Sequence, residues 1–327
     1  MLIKVVMVFF VKRKYLYKLI HLYKIMKKKV ERLVKEIRKN SRLTSRELGK
    51  RLRTSQQSIN YLIHSLEKNK IIKKYTTIFD GSRFGLIKFI VFFRIKDNSD
   101  LIKYLKEHED VVKIEKLSIG WDFKVIFSCK NISHFNKSLK ELLNEFKKID
   151  RLVILPVIVK YDFIEEKNIL FGDREKIEIS DKELEICKIL LEDGRKSYVD
   201  ISKKVKLDPK TIVRIKKKLE NEEIIKGYSV VVDHNKLGIR RFVLLIRLND
   251  YSLEADKKLI NYCKNKKEIV SLFKTFGSYD LVLEIELRNK TLVEFLKDFR
   301  DNEMVKDYSS SISDGVIKED YLPESVF

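Results

Sequence analysis

Two sets of polar side chains recur at helical spacing and suggest contact with bases and phosphates. Lys210, Arg214, Lys217 and Lys218 fall on one face if the segment 209–221 is helical. Residues three and four apart share a helix face. Arg and Lys in such a row can donate to guanine O6 and N7 or neutralise phosphates. A second set, Gln56, Gln57, Asn60, Tyr61 and His64, follows Arg51 and Arg53 at comparable spacing. Amides there suit the N6/N7 edge of adenine. A solvated polar face would carry the same residue types, so spacing alone does not separate a reading surface from a bland one.

Other chemistry finds little support. Cys129, Cys187 and Cys263 are widely spaced, odd in number and free of any C-x-x-C pair. They read as small buried hydrophobes in a reducing cytoplasm, not as a zinc site or a disulfide framework. The five histidines, His21, His64, His108, His134 and His234, are scattered. No catalytic residue, metal site or cofactor is assigned from this pattern.

The elements that must position the polar faces are written twice. Leu66-Glu67-x-x-x-Ile71-Ile72-Lys73-x-Tyr75 returns 153 residues later as Leu219-Glu220-x-x-x-Ile224-Ile225-Lys226-x-Tyr228. The same offset pairs Arg42 with Arg195, Ile59 with Ile212, Asp80 with Asp233 and Gly85 with Gly238. So long a period marks a copied domain or domain pair rather than a solenoid. In the later copy, Ser180-x-x-Glu183 is a capping box, and Ile186, Cys187, Leu190 and Leu191 make the apolar stripe of a first helix. A second helix turns Val199, Ile201 and Val205 inward, and Asp208-Pro209 opens a third with Ile212, Ile215 and Leu219 inside. Residues 224–233 then read as extended, with a turn at Lys226-Gly227. The earlier copy matches: Leu33, Val34 and Ile37 in the first helix, Thr44-x-x-Glu47 capping the second, Ser55 capping the third. Three short helices and a strand, the third helix polar on its free face, predict a winged helix-turn-helix.

Each such module precedes a βαββαβ pattern. Strands are expected over 89–95, 111–117, 123–129 and 152–161, with helices over 97–108 and 133–146. The second half repeats this from Phe242 to Lys318. Phe89-Ile90-Val91-Phe92-Phe93 and Phe242-Val243-Leu244-Leu245-Ile246 are apolar without alternation, so both sheet faces are buried. Helices cover one face; the duplicate sheet is the natural cover for the other, giving an internal pseudo-dimer. The fold class is α+β. The expected divisions are an extension at 1–26, helix-turn-helix modules at 27–82 and 176–235, and sandwich domains at 83–165 and 236–325.

Charge points the same way. Against 48 acidic residues stand 70 basic ones, a formal net charge of +22. A solvated Lys/Glu surface explains the 36% charged residues but not the imbalance; an acidic partner does, with double-stranded DNA first. Residues 2–11 are an apolar run too short to span a bilayer. They fit either a basic amphipathic anchor or, better, an upstream extension ahead of Met26; no membrane partner is expected.

Residues in the second unit carry a family resemblance: Ile186-Cys187-x-x-Leu190-x-x-Asp193-Gly194-Arg195, then Leu207-Asp208-Pro209-Lys210-Thr211-Ile212-x-Arg214-Ile215-x-x-x-Leu219-Glu220, then Ile224-Ile225-Lys226-Gly227-Tyr228. The chain resembles the leucine-responsive regulator (Lrp/AsnC) family from about residue 27 to 320, as two tandem units. The resemblance implies a cytoplasmic transcription regulator whose sandwich domains dimerise sheet to sheet and bind a small effector, often an amino acid. Gly277-Ser278-Tyr279-Asp280 is the matching effector loop, weighed against a tight turn with a buried tyrosine. The first unit departs from the pattern. Tyr61 stands where the second has Arg214, Lys74 where it has Gly227, and Gly120-Trp121-Asp122 is one residue shorter than the later loop. Trp121 is therefore expected in a core or domain interface. Two alternatives stay open: an effector-binding partner without DNA contact, and an enzyme. The same domain plan resembles siroheme decarboxylases, whose chemistry needs a cation-lined pocket and a positioned proton donor.

Overall fold

In a computed structural model, the residues described are 26, 28–95, 99–164, 169–172, 174–288, 290–300 and 305–327. Residues 1–25 of the expected 1–26 extension lie outside them. Two three-helix units form where caps and apolar spacing coincide. The first comprises α1 (28–39), α2 (Ser45–Leu52) and α3 (Gln56–Lys68), followed by β1 (Ile72–Phe79). Thr44 and Glu47 close a capping box on α2, and Ser55 accepts the Ser58 N–H at the start of α3. Each such cap is worth about 0.5–2 kcal/mol.

A 3-10 turn (Gly81–Phe84) leads into the first sandwich: β2 (Ile87–Ile95), α4 (Ser99–Glu107), β3 (Val111–Ser118), β4 (Phe123–Cys129), α5 (Ile132–Glu145), β5 (Ile149–Asp162) and a short β6 (Ile169–Phe171). The second unit follows as α6 (Asp181–Glu192), α7 (Tyr198–Val205), α8 (Pro209–Asn221) and β7 (Ile225–Val232). The second sandwich is β8 (Arg240–Leu248), α9 (Leu253–Asn265), β9 (Ile269–Thr275), β10 (Leu281–Leu287), α10 (Leu292–Arg300) and β11 (Val305–Glu319).

The two sandwiches form one sheet. Its order is β2-β4-β3-β11-β8-β10-β9-β5-β6, and an additional β2–β5 pairing closes the first eight strands into a ring. Closure depends on two long strands. Residues 149–157 of β5 pair with β2 of their own half, and residues 157–162 cross to β9. In the same way β11 pairs first with β8 and then with β3. Edges that would otherwise invite pairing with other chains are thereby used up within the molecule.

Side-chain alternation explains the unbroken apolar strands. Phe89, Val91 and Phe93 pack outward against α4 and α5, while Ile90 and Phe92 point inward. Phe242, Leu244 and Ile246 face α9 and α10; Val243 and Leu245 face the interior. Trp121 is buried in this shared interior, 5.9 Å from Phe92, as expected for a domain interface. Cys129, Cys187 and Cys263 are all buried thiols.

Two local expectations fail. Val199 is 52% exposed, because the short α7 needs only Ile201 and Val205 to close its core. Lys226-Gly227 is no turn: β7 runs through it, Gly227 pairs with Ile78, and the irregularity is absorbed as a register shift between Ile78 and Phe79. A bulge accommodates one extra residue without reversing the chain.

Candidate nucleic-acid interface

The third helix of each unit presents the residues chosen from spacing. On α3, Ile59, Leu62, Ile63 and Leu66 are buried, leaving Gln56, Gln57, Asn60, Tyr61 and His64 exposed. Tyr61 is 69% exposed, far more than a phenol needed for packing. On α8, Ile212 and Leu219 are buried, while Lys210, Arg214, Lys217 and Lys218 are exposed. Asp208 accepts from the N–H groups of Lys210 and Thr211, which fixes the start of α8.

Some of these cations already have partners. Arg51 pairs with Glu36 at 3.0 Å and Lys218 with Glu183 at 2.8 Å. Glu183 also accepts from Ser180, so Lys218 braces α8 against the cap of α6. Arg53 occupies the left-handed C-cap of α2 and is exposed.

The two units are joined by a pseudo-two-fold ribbon. β1 pairs antiparallel with β7, and Thr76 faces Ser229, its own equivalent in the repeat. Around that centre the contacts come in pairs. Ser41 N–H donates to the Tyr228 carbonyl at 2.9 Å, and Gly194 N–H donates to the Tyr75 carbonyl at 3.0 Å. The Arg42 guanidinium lies 4.8 Å from the Tyr228 ring centre and Arg195 lies 4.3 Å from that of Tyr75. Cation–π contacts of this kind are worth about 0.5–2 kcal/mol each. Tyr75 hydroxyl donates to Glu67 and Tyr228 hydroxyl to Glu220, tying each ribbon strand to the end of its own third helix. Position 194 must be glycine for a steric reason: a Cβ there would come within 2.6 Å of the Thr76 backbone. Sequence spacing did not assign Arg42, Arg195, Tyr75 or Tyr228 to this role, although all four were visible as repeat-conserving positions.

The 277–280 loop is a tight turn built from its own polar groups. Asp280 accepts the Leu248 N–H at 2.8 Å, Thr275 hydroxyl donates to the Tyr279 carbonyl, and Arg247 donates to the Ser278 carbonyl. Tyr279 is buried, and Gly277 has φ +122°, favourable to glycine. Asp122 plays the same part in the first half, accepting the Ile95 N–H at 2.8 Å.

A charged cluster fills the interior between the halves. Lys124 meets Glu115 at 2.7 Å and also contacts Glu284; Arg241 reaches Glu284 at 2.6 Å and Lys113 does so at 2.9 Å. Burial pushes the Glu284 carboxyl up, but Arg241, Lys113 and Lys124 outweigh it and hold the group well below the usual range. The same contest leaves Glu115 at about 2. Nearby, Arg38 of α1 makes a bidentate pair with Glu286 of β10, both contacts 2.7 Å, and His234 Nε2 lies 3.0 Å from the same carboxylate. Burial lowers the His234 pKa despite Glu286. Arg38, Lys160, His234 and Arg241 border a cavity of about 40 Å³ under the ribbon.

Comparison with known proteins agrees with this geometry. A family model described as winged helix-turn-helix DNA-binding matches residues 26–73 and 179–226. An HTH-type transcriptional regulator of Pyrococcus furiosus is 32% identical over 138 residues, spanning 42% of this chain and 88% of the relative. The HTH-type transcriptional regulator FL11 of the same organism is 34% identical over 126 residues, 38% of this chain and 78% of FL11. The solved structure of the siroheme decarboxylase NirDL aligns over 89% of this chain and 92% of its own, with TM-score 0.60 and 12% identity, a likeness of fold alone. The two duplicated reading modules on a shared sheet define a DNA-binding transcription regulator. The chain belongs to the HTH-type transcriptional regulators, with the winged helix-turn-helix module present twice.

Proposed function

We propose that the chain acts as an internal pseudo-dimer that reads an asymmetric DNA site, α8 through Lys210, Arg214 and Lys217, and α3 through Gln56, Gln57, Asn60, Tyr61 and His64. The observation that carries this is the β1–β7 ribbon, which sets two unlike helices around one axis. Arg53, Arg51 and Lys218 serve the phosphates, the last two after giving up Glu36 and Glu183. The protein works on DNA in the cytoplasm, and further self-association of the pseudo-dimer is left to the outer surfaces. A salt titration of duplex binding tests the reading: log affinity falls steeply with log salt, and Lys217→Ala lowers the slope by about one unit. A flat salt response would refute it.

The 277–280 loop is the place for an amino-acid effector. Gly277 supports this, because a Cβ there would meet nothing closer than 3.7 Å, and Phe276 beside it is exposed. Asp280, occupied in the turn, supports the loop rather than the ligand. A thermal-shift screen of amino acids against wild type and Gly277→Val tests this; a hit unaffected by Gly277→Val removes the assignment.

The regulator reading, without catalysis, is also favoured by the polar centre. Arg38, His234 and Arg241 do converge, but Glu286 and Glu284 answer their charge. The cavity beside them, about 40 Å³, is large enough for water.

A further inference from the structure

The start of β3 gathers a polar cluster that DNA reading does not use. Glu109 and Asp110 form the turn from α4 into β3, and His134 stands in the first turn of α5. Donor atoms of these three residues lie within 4.8 Å of one another. His134 Nε2 is 3.2 Å from Asp110 Oδ2. Two ligands each about 2.0–2.1 Å from a tetrahedral zinc ion stand about 3.3 Å apart, so this pair is already at ligating separation.

The charge at Asp110 is a second, separate observation. Its carboxylate is fully buried, and Ser138 and Ser325 hydroxyls each donate to it at 2.8 Å. The hydroxyls satisfy lone pairs but bring no charge of their own to a carboxylate that is costly to bury. The other half of the molecule shows the contrast. Glu268 precedes β9 as Asp110 precedes β3, and each residue's carbonyl accepts from the neighbouring strand, from Glu286 N and Ser128 N respectively. There Lys290 meets Glu268 at 3.3 Å. Here His134 takes that place. An imidazole nitrogen and a carboxylate oxygen are both donor types that a zinc-class ion accepts. His108 Nδ1 accepts the Asp110 N–H at 3.1 Å and so holds the turn that carries both carboxylates. The open depression beside them, about 380 Å³, adds Glu107 and Glu141, the latter 3.9 Å from Lys137, so acidic groups outnumber basic ones there on a chain of net charge +22.

We propose that Glu109, Asp110 and His134 bind a divalent transition-metal ion of the zinc class, with water completing the shell. The site reaches the second helix-turn-helix through the C-terminal tail. Ser325 bonds to Asp110, Glu324 pairs with Lys188 of α6 at 3.2 Å, and Val326 and Phe327 pack on the core of α6–α8. An ion on Asp110 therefore lies one hydrogen bond from the segment that covers that unit.

The test is zinc titration of the untagged full chain in competition with a chromophoric chelator, for wild type, His134→Ala and Glu109→Gln. Circular dichroism confirms that both variants fold; both side chains are solvent-accessible, so folding is expected. The proposal predicts one equivalent bound by wild type, affinity at least tenfold weaker in His134→Ala, and a smaller loss in Glu109→Gln. Zinc should also raise the melting temperature of wild type and leave that of His134→Ala unchanged. Absence of stoichiometric uptake would overturn the site. So would uptake undiminished in His134→Ala, which would place the ion on other groups such as the thiols.

Discussion

At the residue scale the exposed cations differ in what DNA must displace. Arg214 and Lys217 are exposed on α8 outside any ion pair described above, whereas Arg51 and Lys218 already hold Glu36 and Glu183. Arg214→Ala should therefore cost about 1–3 kcal/mol of affinity at a guanine-containing half-site. Lys218→Ala should cost less binding energy and some stability as well, since Glu183 loses its partner. Gel-shift affinities paired with denaturant midpoints check the contrast; equal binding losses at the two positions would contradict it. Asp280→Ala should lower stability by about 1–3 kcal/mol, because the buried Leu248 N–H is left without its acceptor. Exposed helical faces were legible from three- and four-residue spacing. The partners of those residues were not, because Glu36 lies a helix away from Arg51 and Glu183 lies two helices before Lys218. The metal cluster was hidden for a like reason: His134 joins Glu109 and Asp110 only after β3 and β4 have folded back.

At the element scale, caps and apolar patterns placed most helices and strands, because those signals act within a few residues. Lys226-Gly227 misled because a glycine permits a turn without requiring one, and pairing with β1 decided for the strand. The interior charge cluster was beyond local reading, since its members come from β3, β4, β8 and β10. Replacing Lys124 by Met leaves Glu115 and Glu284 short of a cation and should cost about 3–5 kcal/mol by chemical denaturation. No measurable loss would mean the cluster is not cohesive. The pH dependence has a defined sign. Glu115, Glu284 and Glu286 have native pKa values depressed below the unfolded carboxyl value, so their stabilisation is complete above that value and drains away as the pH falls towards the depressed values, about 2 for Glu115. His234, also depressed, adds a milder loss beginning below its ordinary value of 6.5. Melting temperatures should fall progressively on acidification; a flat profile down to pH 3 would contradict the assignment of these groups.

At the scale of the whole molecule, the repeat positions retained in both halves include those that make the two-fold contacts: Arg42 and Arg195 stack on Tyr228 and Tyr75, whose hydroxyls reach Glu220 and Glu67. The interior, by contrast, is not self-complementary. Lys124 and Ile126 in β4 take the places that Val282 and Glu284 hold in β10, so two first halves brought together would lack the Glu284 that Lys113 and Lys124 need. One half is matched to the other, the first supplying Lys113 and Lys124 and the second Arg241 and Glu284, and a single chain presents one α3 and one α8. A homodimer that shows the same helix twice favours a palindrome; this arrangement favours two different half-sites, one leaning to A/T under the amides of α3 and one containing guanine under Arg214 and Lys217. The most direct measurement is selection of bound genomic fragments followed by footprinting of the best site with wild type and Arg214→Tyr. The expected result is an asymmetric site in which Arg214→Tyr relaxes base preference in one half only. A true palindrome whose halves respond equally would contradict it, because two chains would then be presenting the same helix.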